Sequence, residues 1–220
     1  MSLQLMTMGD NSNSTLFSEI KRTVVDTSGS VGSLYDAYRD CFVQPLAPAK
    51  KHAFNRPNTR VQSDIKHGDG TDLKNPLRYF HMEKDLLLSI LLRLTPHKGK
   101  AAIIDRLHET NEYTRFFSYT ETNHECILPN DAVNLEKSIV SSLTLTKATH
   151  IVNSIEFGID FVIVLQLPSD KNLASQIDES LKKLVTSLCD ESYILELTQD
   201  QEKILRSVVH ANIYTNVYEL

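Results

Sequence analysis

Ala148-Thr149-His150-Ile151-Val152-Asn153-Ser154-Ile155-Glu156-Phe157-Gly158-Ile159-Asp160-Phe161-Val162-Ile163-Val164-Leu165 is the stretch on which the fold turns. A Thr-His pair opens it and a β-branched run follows. Gly158 stands eight residues after His150, and a second apolar run continues from Ile159. β-Branched and aromatic side chains favour a pleated backbone, and glycine relaxes the torsional limits on a bend. The stretch therefore reads as two consecutive strand segments, bent or turned at Gly158 and approached through a polar corner at Thr149 and His150.

Working outward, the pattern beyond Pro168 becomes helical. Leu173, Ile177, Leu181, Leu184, Val185 and Leu188 recur at spacings of three and four, which stacks them on one helical face. Thr198-Gln199-Asp200-Gln201 has the form of a capping box opening a second helix, with Ile204, Leu205, Val208 and Val209 directed inward. Ile213–Leu220 reads as a further strand. Upstream, Thr114–Thr122 alternates aromatic and polar residues and reads as a strand. Asn130 is placed to cap a short helix over residues 131–142. Residues 44–76 carry repeated Pro and Gly, which predicts irregular structure with one short strand near Thr59–Ile65.

Glu83–Leu94 supports two readings. As a strand it places Leu86, Leu88, Ile90, Leu92 and Leu94 in one apolar row, a candidate membrane-facing surface. As a helix it is apolar on most sides and belongs in a core. Leucine's intrinsic preference leans towards helix. The polar start of the chain, residues 1–26, is expected to be a poorly ordered leader. Strands interspersed with helical clusters, without regular βαβ alternation, make the class α+β.

Composition excludes several functions. The 220 residues carry a formal net charge of -5, so no concentrated basic footprint for nucleic acid is expected. Three cysteines, Cys41, Cys126 and Cys189, give neither a disulfide framework nor a zinc spacing and are expected reduced and buried. The eight histidines form no ligand pair at helical spacing. No nucleophile-base pair, phosphate loop or cofactor motif is visible, so no catalytic, metal or cofactor residue and no small-molecule substrate are expected. No run approaches the roughly 20 apolar residues that a spanning helix needs. With no secretory signal in view, the expected location is cytoplasmic, or outside by release without a signal peptide.

Three segments together carry a family resemblance. Gly32-Ser33-Leu34-Tyr35-Asp36-Ala37 resembles an opening Gly-x-Leu-Tyr-Asp-Ala segment. Ala148-Thr149-His150 with Phe157-Gly158 resembles a Gly-Thr-His signature and its bend glycines. Leu197-Thr198-Gln199-Asp200-Gln201-Glu202-Lys203 resembles a Leu-Thr-x-x-Glu-Lys helix start. In this order they resemble the N-terminal module of the stonustoxin group of stonefish-type cytolytic toxins, within the membrane-attack-complex/perforin and cholesterol-dependent cytolysin superfamily. The resemblance implies a bent antiparallel central sheet over residues 27–220, C-terminally incomplete, flanked by helical clusters at about 60–112 and 169–212. Thr149, His150, Gly158, Leu34, Tyr35 and Asp36 become structural signature residues. It further implies a pore-forming-toxin-like module that meets membrane lipid, or that associates with itself or with a partner chain completing the sheet.

Two departures from the family pattern accompany it. Ala148 and Ile159 replace glycines, which stiffens the bend. In the second cluster, Glu179 and Lys183 share the extended-phase face of Ile177 and Leu181, which argues for a non-lytic interaction or assembly module as the alternative.

Overall fold

The computed structural model describes residues 2–7, 19–23, 29–39, 41–44, 54–69, 84–106, 108, 110–128, 148–189 and 197–216. Its elements in chain order are β1 (Ser2–Thr7), β2 (Glu19–Thr23), β3 (Leu34–Asp36), β4 (Cys41–Gln44), β5 (Phe54–His67), α1 (Lys84–Leu91), a 3₁₀ helix (Gly99–Asp105), β6 (Thr114–Ile127), β7 (His150–Gln166), α2 (Lys171–Cys189), α3 (Gln199–Leu205) and β8 (His210–Thr215). Among the described residues the strands form one sheet, ordered β2-β1-β7-β3-β4, with β6 joining β5 to β7 and β8 paired to β7. The fold is α+β.

β7 is the organising element. Its 17 residues run without interruption through Gly158, so no turn separates the two segments expected there. Gly158 is not among the glycines with positive φ, which are Gly32 and Gly99. The irregularity lies earlier instead: β1 pairs Gln4 with Ser154 but Leu5 with Val152, leaving Asn153 as the extra residue of a bulge.

The chain divides into two compact units, and the boundary crosses β7 between Gly158 and Ile159. The first holds residues 1–59, 81–97 and 122–158; the second holds residues 60–80, 98–121 and 159–220.

In the first unit, β1 pairs antiparallel with both β2 and β7. This corrects the expectation of an unordered leader for Ser2–Thr7 and Glu19–Thr23: a polar segment gains order once a neighbouring strand supplies partners for its backbone groups. The remainder of that leader lies outside the described residues. β3 pairs β7 at Leu34–Ile151 and Tyr35–His150. α1 settles the ambiguity of Glu83–Leu94 as a helix. It closes with hydrogen bonds from Leu94 N to Ser89 O and from Arg93 N to Ile90 O, and Arg93 takes a left-handed φ of 58° where glycine is usual.

In the second unit, β8 pairs β7 from Phe161–Thr215 to Gln166–His210. The observed strand begins three residues before the expected Ile213, and residues 217–220 lie outside the described residues. α2 starts at Asp170, whose Oδ1 accepts from the backbone N–H of Asn172 (2.8 Å) and Leu173 (3.1 Å). Its face of Ala174, Ile177 and Leu181 is buried with Leu165 and Leu167, and Leu173, Leu184, Ile204, Leu205 and Val208 pack against that cluster. The capping box at α3 is formed as the sequence predicts, Thr198 Oγ1 accepting from Gln201 N and Gln201 Oε1 from Thr198 N. Val209, expected inward, is 68% exposed because α3 ends at Leu205 and the chain has already turned towards β8. The strand expected near Thr59–Ile65 extends over Phe54–His67, and that at Thr114–Thr122 continues to Ile127. The helix over 131–142 falls outside the described residues.

Truncation of the α2 core separates helical packing from surface effects. Ile177→Ala is expected to cost about 2–5 kcal/mol in urea unfolding, against under about 0.5 kcal/mol for Lys183→Ala on the exposed face.

Candidate functional site

Two sequence signatures that lie more than a hundred residues apart meet at one corner of the first unit. The backbone N–H of Thr149 donates to Tyr35 O at 2.9 Å. The Thr149 hydroxyl donates to the same carbonyl at 3.2 Å and accepts from the N–H of Ala37 at 2.9 Å. His150 Nδ1 lies 2.7 Å from that hydroxyl. Leu34, Tyr35 and Asp36 are all buried, and the Tyr35 ring meets Phe42 edge-on at 5.4 Å. Asp36 turns the chain after β3: its Oδ1 accepts from the N–H groups of Tyr38 (2.9 Å) and Arg39 (3.3 Å). Arg22 of β2 donates to Ala37 O in the same corner.

Burial, with the Arg22 guanidinium next, holds His150 below the ordinary imidazole range. A neutral imidazole bonded to a hydroxyl suits a fixed corner. The structure brings the signature residues Thr149, His150, Leu34, Tyr35 and Asp36 together, whereas Gly158 lies within the uninterrupted β7.

The candidate membrane-facing leucines divide. On α1, Leu86 and Ile90 are fully buried. Leu88, Leu91, Leu92 and Leu94 are 56, 49, 59 and 52% exposed. A helical period sorts residues by threes and fours, so the single row of the extended reading does not exist in this conformation. What the helix presents instead is an exposed leucine patch that includes Leu91. Lys84 and Arg93 are also exposed on this segment. Ser89 Oγ reaches Tyr38 O at 3.5 Å, which connects α1 to the turn after β3.

Elsewhere the chemistry is sparse. A cavity of about 320 Å³ in the first unit is walled by Val31, Asn55, Cys126, Ile155 and Phe157. Burial pushes the Cys126 thiol up, away from the reactive thiolate, and among the described residues the lining holds no carboxylate or imidazole. Cys189, expected buried, is exposed near the end of α2. No group of metal-ligating side chains occurs among the described residues. Among the described residues no helix is long and apolar enough to cross a membrane.

Three polar clusters in the second unit escaped the sequence reading. Arg115 grips Asp178 through two bonds of 2.6 and 2.8 Å, with the arginine side chain 4% exposed. Lys100 pairs with Asp160 at 2.6 Å, and Thr120 donates to the same carboxylate. Tyr214 Oη contacts His108 Nε2 at 2.7 Å. Each joins residues tens of positions apart, and no local spacing signals such a pair.

The solved structure titled "Stonustoxin structure" resembles this chain over its whole length, with a TM-score of 0.53 at 15% identity. The chain has a stonustoxin-like fold. It spans 27% of the length of that stonustoxin chain, and at this identity the likeness concerns the fold alone. No family model and no curated protein matches the sequence. The stonustoxin-like fold agrees with the kinship suggested by the three sequence segments.

Thr149→Val is expected to destabilise the first unit by about 1–3 kcal/mol, since it strips partners from the Ala37 N–H and from His150. Thr149→Ser is expected to retain most of the stability; denaturant midpoints with unchanged slopes are the check. The folded His150 takes up a proton less readily than the unfolded one, so between its folded value and the ordinary 6.5 the unfolded state binds more protons. Stability contributed by this group is therefore unaffected above that range and falls as pH drops through it. His150→Gln is expected to flatten this part of the acid side of a melting-temperature profile.

Proposed function

We propose that this chain is a membrane-associating or self-associating module built on the stonustoxin-like fold and that it performs no enzymatic chemistry. The exposed leucine patch of α1 carries this reading. Clustered apolar side chains at a helix surface mark an interaction site, and insertion into the headgroup boundary would bury Leu88, Leu91, Leu92 and Leu94. The exposed Lys84 and Arg93 would each add about 1 kcal/mol of attraction to an anionic surface. A second copy, or a partner chain, adding a strand along the sheet is the corresponding proposal for self-association.

A non-lytic interaction or assembly module is the second reading, and α2 favours it. In extended form, Glu179 and Lys183 would share the face of Leu173, Ile177 and Leu181, and a lysine at the bilayer midplane costs about 2–4 kcal/mol per subunit. As a helix the same residues have Ile177 and Leu181 buried and Glu179 and Lys183 exposed. Membrane contact without perforation follows from that contrast.

Vesicle co-sedimentation with parallel dye release distinguishes the outcomes. The chain is expected to pellet with anionic vesicles or to form oligomers by light scattering, and Leu88→Asp with Leu92→Asp is expected to abolish pelleting while leaving the fold intact. Dye release by the wild-type chain would favour the lytic reading over the non-lytic one. A monodisperse monomer that binds no vesicle, whether neutral, anionic or sterol-containing, would overturn the proposal.

A further inference from the structure

The segment from Gly99 to His108 lies against β8 and is fastened at both ends. At its start, Gly99 has a φ of 57° and lies in ordinary contact range of the Thr215 and Asn216 backbone. Lys100 then forms its 2.6 Å ion pair with Asp160 of β7, both side chains being nearly buried. The β7 end of that contact is braced in turn: Asp160 N donates to Asn216 Oδ1, and Thr215 and Asn216 donate to Asp160 O. At its finish, Arg106 Nη1 donates to Asn212 Oδ1 at 2.8 Å. His108 closes the row, its Nε2 2.7 Å from Tyr214 Oη and its ring edge-on to the tyrosine at 5.6 Å and 88°.

We propose that residues 99–106 and His108 form a strap over β8 that acid releases at its His108–Tyr214 clasp, while the Lys100–Asp160 pair retains the other end. The proposal holds whether or not the chain meets a membrane. The charges around the clasp set its direction. Partial burial is the largest cost of charging the His108 ring, and the Arg106 guanidinium from the strap and His210 from β8 add to it; together these hold His108 below the ordinary imidazole range. Asp105 and Arg106 also face Tyr214, whose phenol is pushed up chiefly by burial.

A released strap returns His108 to solvent, where it takes up a proton at the ordinary value near 6.5. The open form therefore binds the proton more tightly than the closed form, and opening becomes easier as pH falls below that value. Neutral His108 bonded to the phenol keeps the strap closed at higher pH. Release would uncover β8, whose Ile213 is already 56% exposed.

Amide hydrogen exchange on the full chain, corrected for intrinsic rates, tests this at about pH 7.5 and about pH 5.5, on either side of the ordinary histidine value. Protection over residues 99–105 and 210–215 is expected to fall severalfold at the lower pH while α2 stays protected. In His108→Gln, which keeps polar contact with Tyr214 but takes no proton, the fall is expected to disappear. Tyr214→Phe keeps the ring and removes the phenol, so the strap is expected to lose protection already at the higher pH. Equal wild-type protection at both pH values, an undiminished fall in His108→Gln, or full protection in Tyr214→Phe at the higher pH would each overturn the proposal.

Discussion

The hydroxyl of Thr149 accepts from the backbone of Ala37, donates to that of Tyr35, and meets the imidazole of His150. Those contacts fix where β7 begins relative to β3, and so fix its register. A one-residue slip would turn every side chain of a strand to the opposite face. In β7 that would expose Val152, Ile155, Val162 and Val164, all of which are buried. Burial of the corner strengthens the constraint, because an amide or hydroxyl stripped of its partner there cannot recover one from water.

Around this corner the first unit is held mainly by backbone pairing, and the second by a helix laid on its strands. β1, β3 and β7 exchange ladder bonds, with Lys21 and Asn58 side chains both reaching Glu156 on β7. In the second unit α2 presents Ile177 and Leu181 to a core shared with Leu165 and Leu167, and Asp178 on its flank receives Arg115. Removing one partner of so buried a pair is costlier than the pair's net attraction suggests, since the other charge stays behind without compensation. Aromatic contact adds to this: Phe161 of β7 stacks with Tyr119 of β6 at 5.0 Å.

Much of the site was readable in advance for a definite reason. Leu34, Tyr35, Asp36, Thr149 and His150 each form part of a compact local motif, and such motifs survive in sequence even when their partners are distant. The α3 capping box was readable because both of its hydrogen bonds close within three residues. At Gly158 a turn was one of the readings open, because glycine permits one without compelling it; β7 continues through it instead. The leucines of α1 left two readings open because a short apolar run satisfies two periods at once, and the fold follows the helical one that leucine prefers. Ser2–Thr7 is short, and its backbone partners include β7, far along the chain.

The amino-acid order alone determined the α+β class, the helical phase of α2, the start of α3 and the two halves of the Thr149 corner, because these rest on local periodicity and short-range hydrogen bonding. Only the folded chain decided that β7 is one strand, that α1 buries Leu86 and Ile90 while presenting Leu88 and Leu92, and that Arg115, Lys100 and His108 meet Asp178, Asp160 and Tyr214. Those outcomes depend on which distant segments become neighbours. Contacts between segments remote in sequence are selected by the burial and hydrogen bonding of the whole chain, and no window of residues contains them.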